Sequence, residues 1–210
     1  MPTQTQNKQQ PQIDPTRRRR ILLVAGLAFV LAFAVFVALP LLNRGAPEGG
    51  DPSNNIPALS AVKTYDYVGA EHTTDPVNYT ETPPAGGPHD PVWEDCGVYS
   101  QPVRNENAVH SLEHGTVWIT YQPGLSTADV QKLETALGTV KDKKTILSPY
   151  PGLPAPVVVT VWNAQLDLKN ASDPRLQDFL GFYGDGHTAP EAAMASCAGG
   201  KQILASPSNP

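Results

Sequence analysis

The chain has 210 residues, enough for one domain with appendages or at most two small domains. Only 17% of residues are charged while prolines number 22, which suits a compact domain with long, stiff connections better than a helical bundle. Residues 1–20 carry Lys8 and Arg17 to Arg20 against Asp14, a net of +4, and the remainder carries −9; that acidic part lacks the clustered Lys and Arg that phosphate neutralisation needs, which excludes nucleic-acid binding as its role.

In chain order, residues 1–20 are polar, Gln-rich and end in four arginines, so they predict a disordered, basic cytoplasmic tail. Residues 21–42, "ILLVAGLAFVLAFAVFVALPLL", contain no charge. A helix of about 20 apolar residues spans the bilayer core, and the preceding arginines predict a cytoplasmic N-terminus. A cleaved signal peptide has a shorter apolar core and a small-residue cleavage pattern, which this run lacks. The expectation is therefore an uncleaved transmembrane helix and a single-pass protein of the cell membrane. Everything after Leu42 then lies outside the cytoplasm, and the membrane itself is the one partner the sequence names. Residues 43–60 read as a flexible Gly/Pro/Asn linker, residues 61–200 as an extracytoplasmic domain, and residues 201–210 as a tail.

Within the domain, residues 61–105 are rich in prolines and turn residues, which predicts extended, irregular backbone. An irregular segment of that length is more often functional or wrapped over a core than idle. "ENAVHSLEHG" predicts a short helix closed by Gly115, and "TVWITYQP" a strand ending at Pro123. "STADVQKLETALGTV" predicts a helix with Ser126 as N-cap and Asp129 completing a capping-box variant. "KTILSPYP" reads as a short strand and "APVVVTVWNAQLDL" as one strong strand with β-branched residues throughout. "SDPRLQDFLGFYG" predicts a helix with Asp173 as N-cap and Pro174 in its first turn. The order β-α-β-β-α predicts an α+β fold: a small antiparallel sheet with helices on one face, similar to half of a ferredoxin-like unit.

Chemistry concentrates in "VHSLEHG". On a helix, His110 and His114 share one face and reach a single ion; helix-end packing gives the same spacing, because a histidine near a C-terminus interacts well with the helix dipole. If the proline-rich segment folds over this helix, His89 joins the pair, and three imidazoles suit copper or zinc. Glu106 and Glu113 are further candidate ligands, or acceptors for the ring N–H groups. Cys96 is a candidate ligand too, in competition with a disulfide to Cys197 that an oxidising compartment and an even cysteine count favour. His187, ten residues before Cys197, ranks with these second candidates, and His72 has no evident partner. No G-x-S-x-G elbow is present and "HSLEH" is not H-E-x-x-H, so no catalytic residue is assigned and an enzyme is disfavoured.

The stretch "PPAGGPHDPVWEDCGVYSQPVRNENAVHSLEHGTVWITYQPG" resembles the signature of the bacterial domain of unknown function 3105 family. The pattern P-x-x-G-x-H, G-x-Y and H-x-x-x-H-G matches at Gly87, His89, Gly97, Tyr99, His110, His114 and Gly115, and the resemblance runs over roughly residues 61–198. It implies a transmembrane anchor joined to one extracytoplasmic domain, and it implies no activity. Two functions remain open: binding of a transition metal, copper or zinc, by His89, His110 and His114, or a non-enzymatic interaction module of a cell-envelope complex with structural histidines.

Overall fold

The structure is a computed structural model that describes residues 56–205, apart from residues 141, 143, 193–195 and 197. The expected tail and membrane span, and residues 43–55 of the expected linker, lie outside the described residues; residues 56–60 are described, and Leu59 is buried in the core. Among the described residues no helix is long and apolar enough to cross a membrane.

Six strands and three helices follow a short 3₁₀ turn at Pro57–Leu59: β1 (Lys63–Thr64), β2 (Gly97–Val98), α1 (Asn105–Glu113), β3 (Val117–Tyr121), α2 (Thr127–Leu137), β4 (Thr145–Pro149), β5 (Val157–Val161), β6 (Ala164–Leu168) and α3 (Arg175–Tyr183). The strands form one sheet in the order β1-β6-β5-β3-β4-β2. The sheet is mixed, not antiparallel as expected: β4 pairs parallel with both β3 and β2, whereas β3–β5, β5–β6 and β6–β1 are antiparallel. The physical reason is the connection through α2, which returns the chain to its starting edge so that β4 runs alongside β3, as a parallel pair requires.

The strand expected over residues 155–168 is a hairpin instead. Val161 faces Ala164 across a two-residue turn, and Asn163 takes the left-handed φ of +64° that such turns demand. The signal was present, since asparagine is the residue best suited after glycine to that conformation.

Helices cover both faces of the sheet, another departure from the expectation. Along β3, Val117, Ile119 and Tyr121 face one side, where Leu133 and Leu137 of α2 and Leu176, Phe179 and Tyr183 of α3 complete a core. Trp118, between them, faces the other side with Ala108, Val109 and Leu112 of α1, Ile146 and Trp162. Strands buried on both faces read as continuous apolar runs rather than alternating ones, which is why β3 and β5 carry "VWITY" and "VVVTV" with every residue buried.

The caps follow the sequence closely. Ser126 accepts the Asp129 N–H at 3.1 Å. Helix α3 begins at Arg175, one residue later than read, yet Asp173 Oδ1 still accepts the Arg175 N–H at 3.2 Å. Hydrogen bonds from the Arg175 guanidinium hold the Asp173 carboxyl far below the usual range. The described part of the expected tail packs on the domain: Lys201 bridges to Glu94 and Leu204 to Val103.

Candidate metal centre

Helix α1 is buried from Glu106 to Glu113, although five of those eight residues are polar or ionisable. Its apolar residues face the sheet, and its polar side chains face the irregular segment that crosses over it. Asn107 Nδ2 donates to Val92 O at 2.6 Å, and Ser111 Oγ donates to Glu94 O at 2.7 Å. Glu106 Oε1 accepts the Val77 N–H at 3.0 Å, and Arg104 bonds Asp90 Oδ2 at 2.7 Å. Helix α1 thereby satisfies several backbone groups of a segment that has little ladder pairing of its own.

The same wrap carries two histidines to the helix. A parallel bridge sets His72 beside His89: the His89 N–H donates to Glu71 O at 2.9 Å and the Thr73 N–H to His89 O at 2.7 Å. With His110 of α1 these rings form a triangle whose three centroid separations are each 4.9 Å. Glu113, one turn beyond His110, closes the group: one ligand atom from each of His72, His89, His110 and Glu113 can be chosen so that all lie within 4.8 Å of one another. Three of the four are buried and His72 is exposed. Donors held at about 2.0–2.2 Å around one ion stand about 3.0–4.4 Å apart. Glu113 Oε2 lies 3.0 Å from His89 Nε2 and 4.0 Å from His72 Nε2, inside that window.

Two hydrogen bonds fix the tautomers. His89 Nδ1 lies 2.8 Å from Gly87 O, and His110 Nδ1 lies 2.6 Å from Asp90 O. A carbonyl only accepts, so each Nδ1 carries the proton, and the Nε2 that each ring turns toward the cluster is the atom left bare in the neutral tautomer. Gly87 makes the first bond with φ +101°, a conformation that L side chains rarely adopt. Burial pushes the pKa of His110, and that of His114, below the ordinary imidazole value, which favours the neutral form. His89 Nε2 and Glu113 Oε2 are then two lone-pair bearers at 3.0 Å, both buried and neither making a hydrogen bond. Such a contact is repulsive unless an electrophile sits between them, either a proton or a metal cation. Glu113 also anchors the arm that carries His72, because its Oε1 accepts the Ala70 N–H at 2.5 Å. A side chain at Gly69 would collide with that same oxygen.

Residues 71–199 match the family described as Protein of unknown function (DUF3105). The chain belongs to that family. No curated protein and no solved structure matches it. All four residues of the cluster fall inside the matched range of DUF3105, as do the signature positions Gly87, His89, Gly97, Tyr99, His110, His114 and Gly115.

Among the residues singled out from the sequence, the structure brings His89, His110 and Glu113 together and adds His72. His114 stands just outside: its Nε2 lies 3.0 Å from His110 Nε2 and 3.5 Å from Glu191 Oε2. Glu106 is engaged with Arg104 at 3.1 Å. His187 pairs with Asp185 at 2.6 Å on the surface, and Cys96 Sγ lies 4.0 Å from Thr116 Oγ1; neither belongs to the group. Cys197 is outside the described residues, and so is the bridge expected of it. Glu113 had a local signal, since H-x-x-E places both side chains on one helix face. His72 had none, because its neighbour His89 is reached only through the bridge.

Proposed function

We propose that this chain binds one divalent transition-metal ion, zinc or copper, through His72, His89, His110 and Glu113, in a domain held outside the cytoplasm by residues 21–42. The observation that carries the reading is the buried contact of His89 Nε2 with Glu113 Oε2 at 3.0 Å, without a hydrogen bond, beside a second imidazole whose Nδ1 is also committed to a carbonyl. Three imidazole nitrogens and one carboxylate oxygen are a donor set of intermediate softness that suits both ions, and one negative charge among neutral rings favours a cation over an anion. Metal analysis of the purified chain, with zinc and copper titrated after chelator treatment, tests it. One ion per chain is expected. If neither ion binds, the electrophile between His89 and Glu113 is a proton and the histidines are structural.

The same proposal covers the compartment and the cysteines. Four arginines before an uncharged 22-residue run support a cytoplasmic N-terminus; a C-terminal reporter active only in the cytoplasm sinks that part. Gly200 donates to Asp95 Oδ1 at 2.9 Å and Lys201 to Trp93 O at 3.1 Å, so the chain just after Cys197 runs beside Cys96, which supports the disulfide. Mass mapping without reductant is its test, and a free thiol at Cys96 removes it.

A further inference from the structure

His114 belongs to the signature of the chain yet stands outside the four-residue cluster, and its surroundings differ from those of the two buried histidines within it. His89 and His110 each place Nδ1 on a carbonyl, whereas His114 Nδ1 is buried with no hydrogen-bond partner. Buried N–H groups are left without an acceptor more rarely than buried lone pairs are left without a donor. The proton of neutral His114 therefore sits on Nε2. That position also answers the geometry. His110 Nε2 is bare, and a 3.0 Å contact between two ring nitrogens requires one hydrogen between them, which His114 supplies. Besides His110, the carboxylate of Glu191, 3.5 Å from the same Nε2, is the acceptor within reach.

We propose that His114 is not a ligand but a displaceable cap on the metal site: it holds the His110 lone pair in the metal-free chain and passes its N–H to Glu191 when an ion takes that lone pair. This rests on the metal reading above and adds a regulatory element to it. The consequence reaches beyond the site. The Glu191 N–H donates to Glu113 O at 3.1 Å, and Lys144 Nζ joins His114 O at 3.2 Å to Ala192 O at 2.9 Å. Occupancy of the cluster is thereby read out in the segment at Glu191–Ala192, which abuts the C-terminal end of α1.

The experiment titrates zinc into the full-length chain against a chromophoric chelator, for wild type, His110→Ala, His114→Ala, Glu191→Ala and the variant that combines His114→Ala with Glu191→Ala. His110→Ala reports on the metal site itself and is expected to lose binding. Removing the cap spares the ion a competing neutral hydrogen bond, worth about 0.5–1.5 kcal/mol, so His114→Ala is expected to bind one zinc two- to tenfold more tightly. Glu191→Ala is expected to weaken zinc binding several-fold, and the effect is expected to vanish in the double variant. If wild type binds zinc and folded His114→Ala does not, His114 is a ligand: the cap is overturned while the metal site stands. If wild type binds none, both fall. Where His114→Ala fails to fold, ring-nitrogen NMR of the wild-type chain decides. The cap requires His114 Nε2 to stay protonated before and after zinc; a metal-bound Nε2 refutes it.

Discussion

On one face of the sheet, α2 and α3 set Leu133, Leu176 and Phe179 against Val117, Ile119, Val159 and Leu166. On the other, α1 turns Glu106, Asn107, His110, Ser111 and Glu113 toward an irregular segment, and all five are buried. The first face is held by non-directional burial of apolar area, which tolerates change of shape more readily than change of polarity. The second depends on directional bonds in which each buried group needs a named partner. Among the buried polar atoms left without a hydrogen bond, His89 Nε2, Glu113 Oε2 and His114 Nδ1 lie in or beside the candidate site. The apolar packing and the candidate site thus lie on opposite sides of one sheet, a separation that variants striking one side alone can break.

The largest effect is expected on the apolar side. Phe179 is fully buried and packs against Tyr183 at 4.7 Å between ring centroids. Phe179→Ala should cost about 3–5 kcal/mol by urea denaturation, while the folded fraction keeps wild-type zinc affinity. A large loss of affinity in that fraction would show that the two sides are not separable.

Glu113→Gln should do the reverse. Its carbonyl can keep the Ala70 N–H, and its amide can donate to the bare His89 Nε2, replacing a lone-pair contact with a hydrogen bond. The metal-free variant should therefore melt at or above the wild-type temperature, yet zinc affinity should fall by more than about 100-fold, beyond the range typical of outer-shell losses. The thermal stabilisation expected of wild type at saturating zinc should be absent from the variant. A variant that is both unstable and zinc-competent breaks the assignment of Glu113 as ligand.

A smaller effect separates the arm from the ligands it carries. Gly69→Ala sets a methyl group against Glu113 Oε1, so it should push the backbone at Ala70 away from that oxygen and displace His72 while leaving every ligand residue in the sequence. Zinc affinity should fall about 10–100-fold, as when an orienting partner is lost, and Phe179-side stability should not change. Unaltered affinity would show that His72 is dispensable, leaving His89, His110 and Glu113 as the set.

The same division explains what the sequence made legible. Periodicity and capping residues located α1, α2, α3, β3 and β4, because each is amphipathic or apolar over its own length and caps act within one turn. Sheet order and the parallel β3–β4 pair were not legible, since they depend on where α2 returns the chain. The hairpin turn at Asn163 was hidden inside a β-branched run. On the polar side the helix spacing singled out His110 with His114, which stands outside the cluster, Glu113 entered only among the further candidate ligands, and the proline-rich wrap put forward His89. The place of His72 was invisible, because it is set by a backbone bridge between segments that lack any periodic pattern.

The smallest effect concerns pH, where the polar side holds groups of opposite sign. Burial lowers the pKa of His110 and His114 below 6.5 in the folded chain. Their contribution to stability is complete above the unfolded value of about 6.5 and is lost as pH falls through the folded values. Glu94 behaves oppositely. It is fully buried, and that burial raises its pKa from 4.5 to about 7 despite the Ile203 N–H at 3.0 Å from both oxygens. Its contribution is complete below 4.5 and is lost as pH rises through about 7. Between those limits the two trends oppose each other, so the metal-free wild type should show a shallow profile. Glu94→Gln removes the carboxyl and leaves the histidines alone. With chelator present, the unfolding free energy of Glu94→Gln should fall more steeply than that of wild type as pH is lowered from 7 to 5. The scale is set by about 1.4 kcal/mol for each tenfold difference in proton affinity between the folded and unfolded chain. A variant profile as flat as wild type would mean that the buried imidazoles gain protons as readily in the folded chain as in the unfolded one. In that case their neutrality, on which both the metal site and its cap depend, fails.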